Sequence, residues 1–176
     1  MPKQQDQQER LSLRHILQEF EECADLTQRE FPEIGAYIVY FSHSVDNLLL
    51  INQVLDPLSS LKRKKELEQL LCESQFVPVT DSKTAVKGIL GGGVAIFAAD
   101  SVHLIDVFGP EARSVTESET ESIIAGPHDA FVESATTNIS LIRRRIRSSH
   151  LKVIHCAVGE VSKTDVYSLY EGYCQP

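Results

Sequence analysis

Apolar positions recur along the chain at two spacings, one typical of helices and one typical of strands. The helical spacing predicts five amphipathic helices, at residues 12–28, 44–54, 66–72, 81–90 and 127–147. Runs rich in β-branched and aromatic side chains predict six strands, at residues 34–42, 94–97, 102–107, 122–124, 151–158 and 166–170. Asp56 followed by Pro57 is expected to end the second helix.

The order of these segments indicates the fold class. A short polar segment separates strands 94–97 and 102–107, which predicts a β-hairpin. Elsewhere strands alternate with helices, which favours an α/β fold with a mixed β-sheet sandwiched by helices. We expect a disordered polar tail at residues 1–10, an N-terminal helix with a first strand-helix unit at 11–60, and the remainder of a single α/β lobe at 61–176.

The predicted helix at 127–147 is the most informative segment. It begins with Gly126-Pro127, and proline is tolerated in a first helical turn because its missing amide would have no intrahelical partner there. Acids stand near its start and arginines crowd its end, an order that complements the helix dipole. One stripe of about 100° holds its apolar residues: Phe131, Val132, Ala135, Ile139, Ile142 and Ile146.

Composition and charge narrow the possible functions. A chain of 176 residues with 42% hydrophobic content suits one α/β domain or two very small lobes. Its longest uncharged apolar stretch, residues 89–99, is about half the roughly 20 residues that a membrane helix needs, so we expect no direct membrane insertion. The net charge of −8 argues against nucleic acid as the main partner.

The reactive residue types form no recognisable catalytic or metal-binding pattern. The four cysteines are widely spaced, and the six histidines lack the spacing of a metal-binding motif. The glycines at 88–93 follow a predicted helix and precede a strand, which is the reverse of the order in a phosphate-binding loop. The residues therefore indicate a non-enzymatic domain without a cofactor or metal.

Several motifs in a fixed order carry a family resemblance. Residues 137–146 read Thr-Asn-Ile-Ser-Leu-Ile-Arg-Arg-Arg-Ile, after a Glu-rich approach at 117–122 and Gly126-Pro127. Val158-Gly159 and Ser162-Lys163-Thr164-Asp165-Val166 follow, ending near Tyr170-Glu171-Gly172. This order resembles the A subunit of bacterial spore germinant receptors of the GerA type, from about Leu11 onward and most strongly after Glu117. His128 stands where the family usually has Arg, and residues 41–46 lack the family's Gly-Leu before Val-Asp, so no role of that Arg is carried over.

The resemblance implies a function and partners. It implies the amino-terminal cytoplasmic domain of a receptor A subunit, a regulatory or assembly module in nutrient-triggered spore germination at the inner membrane. The implied partners are the B-type and C-type subunits and the membrane part of the A subunit. Full A subunits continue into a second lobe and transmembrane helices, so the resemblance implies a fragment, either a cut domain or a naturally short gene.

The arginine run of the predicted helix is the best candidate for a contact with these partners. We predict that Arg143, Arg144 and Arg147, with Lys163 and Asp165 of the 163–165 loop, form the contact surface, because the planar guanidinium pairs well with carboxylates. A structural role, neutralising the last helical carbonyls or bridging to the Glu-rich segment 117–121, stays open. The alternative function is a lobe that senses an anionic small molecule at the helix start near His128.

Overall fold

The computed structural model describes residues 11–99, 101–109 and 131–172. The predicted tail at 1–10, the predicted strand at 122–124 and His128 lie outside the described residues. The helices are α1 (Leu13–Glu19), α2 (Asn47–Leu50), a π-helix (Ile51–Leu55), α3 (Asp56–Ser60), α4 (Lys64–Leu71), α5 (Ser82–Leu90) and α6 (Ala135–Arg145). The strands are β1 (Leu26–Phe31), β2 (Ala36–Phe41), β3 (Val77–Val79), β4 (Gly93–Phe97), β5 (Val102–Asp106), β6 (Leu151–Val158) and β7 (Thr164–Glu171).

Five strands form one sheet in the order β1-β2-β4-β5-β3, and β6 pairs with β7 in a separate two-stranded sheet. Every pair between these strands is antiparallel, whereas the sequence analysis expected a mixed sheet. The α/β class and the predicted β4-β5 hairpin are confirmed. Antiparallel pairing follows from the connections, since β1-β2 and β4-β5 are joined by turns too short for a parallel crossover.

Helices cover both faces of the five-stranded sheet, as the α/β sandwich requires. Side chains alternate along β2, so that Ile38 and Tyr40 face one layer while Val39 and Phe41 face the other. The first layer is formed by the residues from α2 to α4, with Leu50, Leu58 and Leu67 among them, and the second is formed by α1 and α5. The two faces bury two hydrophobic clusters, which accounts for the almost fully apolar strands β2 and β4.

The N-terminal helix is shorter than its apolar spacing predicted. α1 ends at Glu19, and residues 26–31, of which the first three were placed in that helix, form the edge strand β1 paired with β2. Glu22 lies in the left-handed region at φ 64°, and the amide of Ala24 donates to the carbonyl of Val153 at 2.7 Å. The helical prediction was wrong beyond Glu19 because this tertiary contact redirects the chain.

Pro57 does not end the helical segment, contrary to the prediction. A π-helix at Ile51–Leu55 immediately precedes α3, whose first turn contains Pro57. Proline removes an amide donor and crowds the carbonyl four residues earlier, which breaks the regular α-helical ladder. The wider π-turn accommodates that break and lets the chain continue to Ser60.

α6 starts later than predicted. Residues 131–134 are not helical, and the Ser134 hydroxyl caps α6 by accepting from the Thr137 amide at 3.3 Å. The side chain of Asn138 bonds both the amide and the carbonyl of Val132, which holds the approach in a non-helical turn. Phe131 is consequently 69% exposed and does not belong to the buried stripe, whereas Ile139 does.

Candidate functional site: the Arg143 cluster and the terminal hairpin

The side chain of Arg143 lies inside the protein, at 1% exposure. Its Nε donates to Oδ2 of Asp25 and its Nη2 to Oδ1 of Asp25, each at 2.8 Å. Its Nη1 donates to the carbonyl of Leu151, also at 2.8 Å. This fork-to-fork geometry is the strongest arrangement that a guanidinium makes with a carboxylate.

Two further groups complete the surroundings of Arg143. The guanidinium lies 4.2 Å from the ring centroid of Phe41, at the end of β2, in a cation-π contact. The Cys23 thiol donates to the same Leu151 carbonyl at 3.6 Å. Four segments, the turn before β1, the end of β2, α6 and the start of β6, therefore meet at one guanidinium, which we call the Arg143 cluster.

Burial and charge shift the pKa values of groups in and around this cluster. Burial on its own would lower the pKa of Arg143, but the hydrogen bonds and charge of Asp25 outweigh it and raise the pKa above its ordinary value. Burial raises the pKa of the Cys23 thiol, and the Arg143 charge only partly offsets this. Burial also lowers the pKa of His43, and the Asp25 charge only partly offsets that effect. The cluster thus combines a charged guanidinium with a protonated thiol at neutral pH.

The structure corrects one residue of the predicted contact surface. Arg143 has its donors directed into the core, so its side chain is not available to a partner. The structural alternative applies to this arginine, although its acid is Asp25 and not a member of the segment 117–121, which lies outside the described residues. Sequence reasoning missed Asp25 because it placed this residue in a helix. The available signal of a buried acid was its position among the apolar residues Cys23, Ala24 and Leu26.

Arg144 and Arg147 lie on the surface, as the contact hypothesis requires. The guanidinium of Arg144 is 5.5 Å from the ring centroid of Phe108, which is itself partly exposed. We call Arg144 and Arg147 the arginine surface.

Lys163 and Asp165 lie at the distant end of the β6-β7 hairpin. Lys163 adopts φ 42° in the turn, and both residues are exposed. Asp165 lies opposite Ala157, so at roughly 3.3 Å per residue it is about 20 Å along the strand from Leu151. The predicted contact residues therefore form two separate surfaces.

Beyond Val153 the hairpin is exposed on both faces. One face carries His155. Its Nε2 lies 2.8 Å from Oδ1 of Asp165, and its ring stacks on the Tyr167 ring with 4.7 Å between the ring centroids. The other face is largely apolar, with Ile154, Val158 and Val166 each at least 40% exposed. Sequence reasoning predicted both strands but missed this exposed apolar face, because alternation alone does not show which face lacks a covering layer.

The described residues offer no group of three or more His, Cys, Asp or Glu side chains that could hold a metal ion. Within the described ranges, no helix combines the length and apolar character needed to cross a bilayer. The arrangement consists of a buried ionic cluster that fixes the base of the hairpin, with two exposed surfaces beside it.

Comparison with known proteins identifies the class of protein. The Bacillus/Clostridium GerA spore germination protein family matches residues 14–174. The chain belongs to this family. It is 31% identical over 149 residues to spore germination protein KA of Bacillus subtilis (strain 168), and 34% identical over 126 residues to spore germination protein A1 of the same organism. The alignments cover 78% and 67% of this chain but 27% and 25% of the relatives, so the chain spans about a quarter of their length.

A solved structure shows the same fold. The crystal structure of the N-terminal domain of the A subunit of the Bacillus megaterium spore germinant receptor GerK3 matches with a TM-score of 0.62 and 20% sequence identity. The match covers 92% of this chain and 63% of that domain. The α/β architecture described above is therefore shared with that domain.

Proposed function

We propose that the chain is the N-terminal domain of a spore germinant receptor A subunit and acts as a regulatory and assembly module in nutrient-triggered germination. The family match over residues 14–174 and the names of the similar proteins, which are spore germination proteins, support a role in germination. The shared fold with the GerK3 domain supports the position within the subunit. No catalytic step is part of the proposal.

The proposed partners are the B-type and C-type receptor subunits and the membrane part of the A subunit, at the cytoplasmic face of the spore inner membrane. The observation that supports the assembly role is that two separate surfaces are exposed on a domain whose hairpin is anchored by Arg143. Arg144 and Arg147 are exposed and can reach carboxylates of a partner, while Arg143, in the last turn of α6, anchors the domain. The hairpin adds an apolar face of the kind that partner proteins cover.

The test compares pairs of substitutions in the full receptor in spores. Arg144→Ala with Arg147→Ala is expected to reduce copurification of the partner subunits and the germination response, while the melting temperature of the isolated chain stays unchanged. Lys163→Ala with Asp165→Ala tests the hairpin tip in the same way. Lys62→Ala with Lys65→Ala is the matched control, since these bases are also exposed but lie near the start of α4.

Normal subunit copurification and germination in both test pairs would refute the assembly role of these surfaces. Loss of assembly in only one pair would identify which of the two surfaces makes the contact.

A further inference from the structure

The strand β6 has a free edge on the side away from β7. The carbonyl of Val153 points to that side, where it accepts from the Ala24 amide. The backbone groups of His155 and Ala157 point the same way, because residues two apart in a strand share a hydrogen-bonding direction. Within the described ranges, no backbone hydrogen bond reaches these outward groups. The edge at residues 154–158 is therefore open for pairing with another strand.

This edge lacks the features that keep edge strands apart. Proteins blunt such edges with charged side chains, prolines or bulges, or cover them with another element. Residues 154–158 read Ile-His-Cys-Ala-Val and contain no lysine, proline or acid. On β7, by contrast, the residues whose backbone faces the outer edge include the acids Asp165 and Glu171. Of the two hairpin edges, β6 is therefore the one that favours a further strand.

The open edge is complementary to itself. In one antiparallel register, this segment of two copies pairs around a two-fold axis at Cys156. His155 of each copy then lies opposite Ala157 of the other, and their outward amides and carbonyls hydrogen-bond to each other. On the apolar face, Ile154 lies opposite Val158 of the second copy, which brings together side chains that are 43% and 55% exposed. No pair in this register places two like charges opposite each other.

A groove lies beside this edge at the point where the turn of a second copy arrives. Its volume is about 430 Å³, and Phe20 and Cys23 are among its lining residues. In the register described above, Gly159 of the second copy falls opposite Val153, so its turn reaches the groove. Val161 in that turn is apolar and 98% exposed. The groove offers apolar contacts to a side chain that has almost none in the single chain.

We propose that two copies of this chain associate through the β6 edge and form a four-stranded antiparallel sheet in the order β7-β6-β6-β7. The two β6 strands run in opposite directions, which places the two domain bodies at opposite ends of the shared sheet. The paired segment is short compared with the roughly 20–30 residues a side of standard interfaces, so we expect a weak dimer with a Kd on the order of 100 µM. The inference does not rest on the proposed assembly role, which concerns other subunits.

Disulfide trapping tests the register. In the chain with Cys72→Ser and Cys174→Ser, diamide is the oxidant and takes up the two electrons and two protons released when two Cys156 thiols join. A non-hydrogen-bonded antiparallel pair has Cα atoms about 4.5 Å apart, within the range of disulfides, so we expect a dimer linked through Cys156. Moving the thiol one position, with Cys156→Ser and Ala157→Cys, should trap far less dimer, because the two thiols are then diagonal neighbours roughly 7–8 Å apart.

Sedimentation equilibrium of the reduced chain tests the association without a covalent bond. Ala157→Pro removes an amide that points away from β7, so the hairpin keeps its own hydrogen bonds while the dimer weakens by at least about tenfold. Ile154→Lys, which places a charge in the shared apolar face, should weaken it similarly. Ser168→Lys lies on the same face of β7, outside the pairing edge, and is the matched control that should dimerise normally.

Circular dichroism checks that each variant keeps the fold, and Ile154→Lys decides the question if Ala157→Pro does not. Three results would overturn the proposal. The first is a chain that stays monomeric at about 1 mM, well above the expected Kd. The second is a dimer that Ile154→Lys leaves unchanged, and the third is equal trapping of thiols at positions 156 and 157.

Discussion

Asp25 and Arg143, separated by 118 positions in the sequence, form a buried ion pair with two hydrogen bonds of 2.8 Å. Both side chains are only 1% exposed. The same guanidinium also bonds the first residue of β6, so a single side chain joins the edge of the main sheet to the base of the hairpin. Arg143 therefore contributes both to the stability of the domain and to the placement of its hairpin, which the bond from the Ala24 amide to the Val153 carbonyl also holds.

Arg143→Ala is expected to lower the free energy of unfolding by about 3–5 kcal/mol, because it leaves the Asp25 carboxylate buried without a partner. Urea denaturation followed by circular dichroism measures this loss. Arg144→Ala is the control, and its exposed side chain should change the stability by no more than about 0.5 kcal/mol.

A double substitution separates the ion pair from simple packing. Asp25→Leu with Arg143→Met removes both charges together and should be less destabilising than Arg143→Ala, since no unpaired charge remains. An Arg143→Ala protein as stable as the Arg144→Ala protein would show that the pair contributes little.

The cysteines should differ in their reactivity toward alkylating agents. Cys23 is buried, its pKa is raised, and its thiol is hydrogen-bonded, so little thiolate is available to react. Cys72 and Cys156 are exposed. Peptide mass spectrometry after brief iodoacetamide treatment of the native protein should find these two modified well before Cys23, with the difference abolished in urea. Early modification of native Cys23 would contradict the buried position.

His43 should make stability depend on pH. Its pKa is lowered in the folded protein by burial, so the unfolded chain binds a proton more readily than the folded one. The contribution of His43 to stability is therefore fully present above the ordinary histidine pKa of about 6.5 and is lost as the pH falls toward the lowered value. His43→Gln should weaken the fall in unfolding free energy below that pH. An unchanged pH profile would contradict the lowered pKa of this half-buried imidazole.

Gly92 should not tolerate a side chain. It adopts φ 92°, and an ideal Cβ there would lie 2.7 Å from the carbonyl oxygen of Ser44 and 2.6 Å from Cδ2 of Phe108. Gly92→Ala is expected to cost at least about 1–3 kcal/mol from backbone strain alone. Gly91→Ala is the matched comparison, because Gly91 has helical backbone angles and its nearest contact is 3.2 Å. Equal melting temperatures for the two variants would contradict this account.

Local patterns predicted most of the regular elements correctly. α5, the β4-β5 hairpin and the two strands β6 and β7 were predicted within a few residues. Their signals lie within the elements themselves, as apolar spacing, capping residues and glycines. The motif order also led to the right family, which the comparisons confirm.

The predictions failed where distant contacts compete with local preference. Residues 26–28 have helical spacing, yet they join β1 because β2 offers a complete antiparallel partner. Pro57 signals a helix end, yet a π-turn carries the chain past it. For residues 26–28 the paired strand outweighed the local signal, whereas at Pro57 the preceding π-turn accommodated the proline.

The sequence by itself determined the α/β class, most element positions and the family, because hydrophobic periodicity and short motifs are encoded by residues close together in the chain. Only the tertiary structure decided the antiparallel pairing of the strands, and which of the four arginines between positions 143 and 147 is buried. An arginine run in a helix presents its members in several directions, and the direction of Arg143 was fixed by Asp25 and Phe41, more than a hundred residues earlier in the chain.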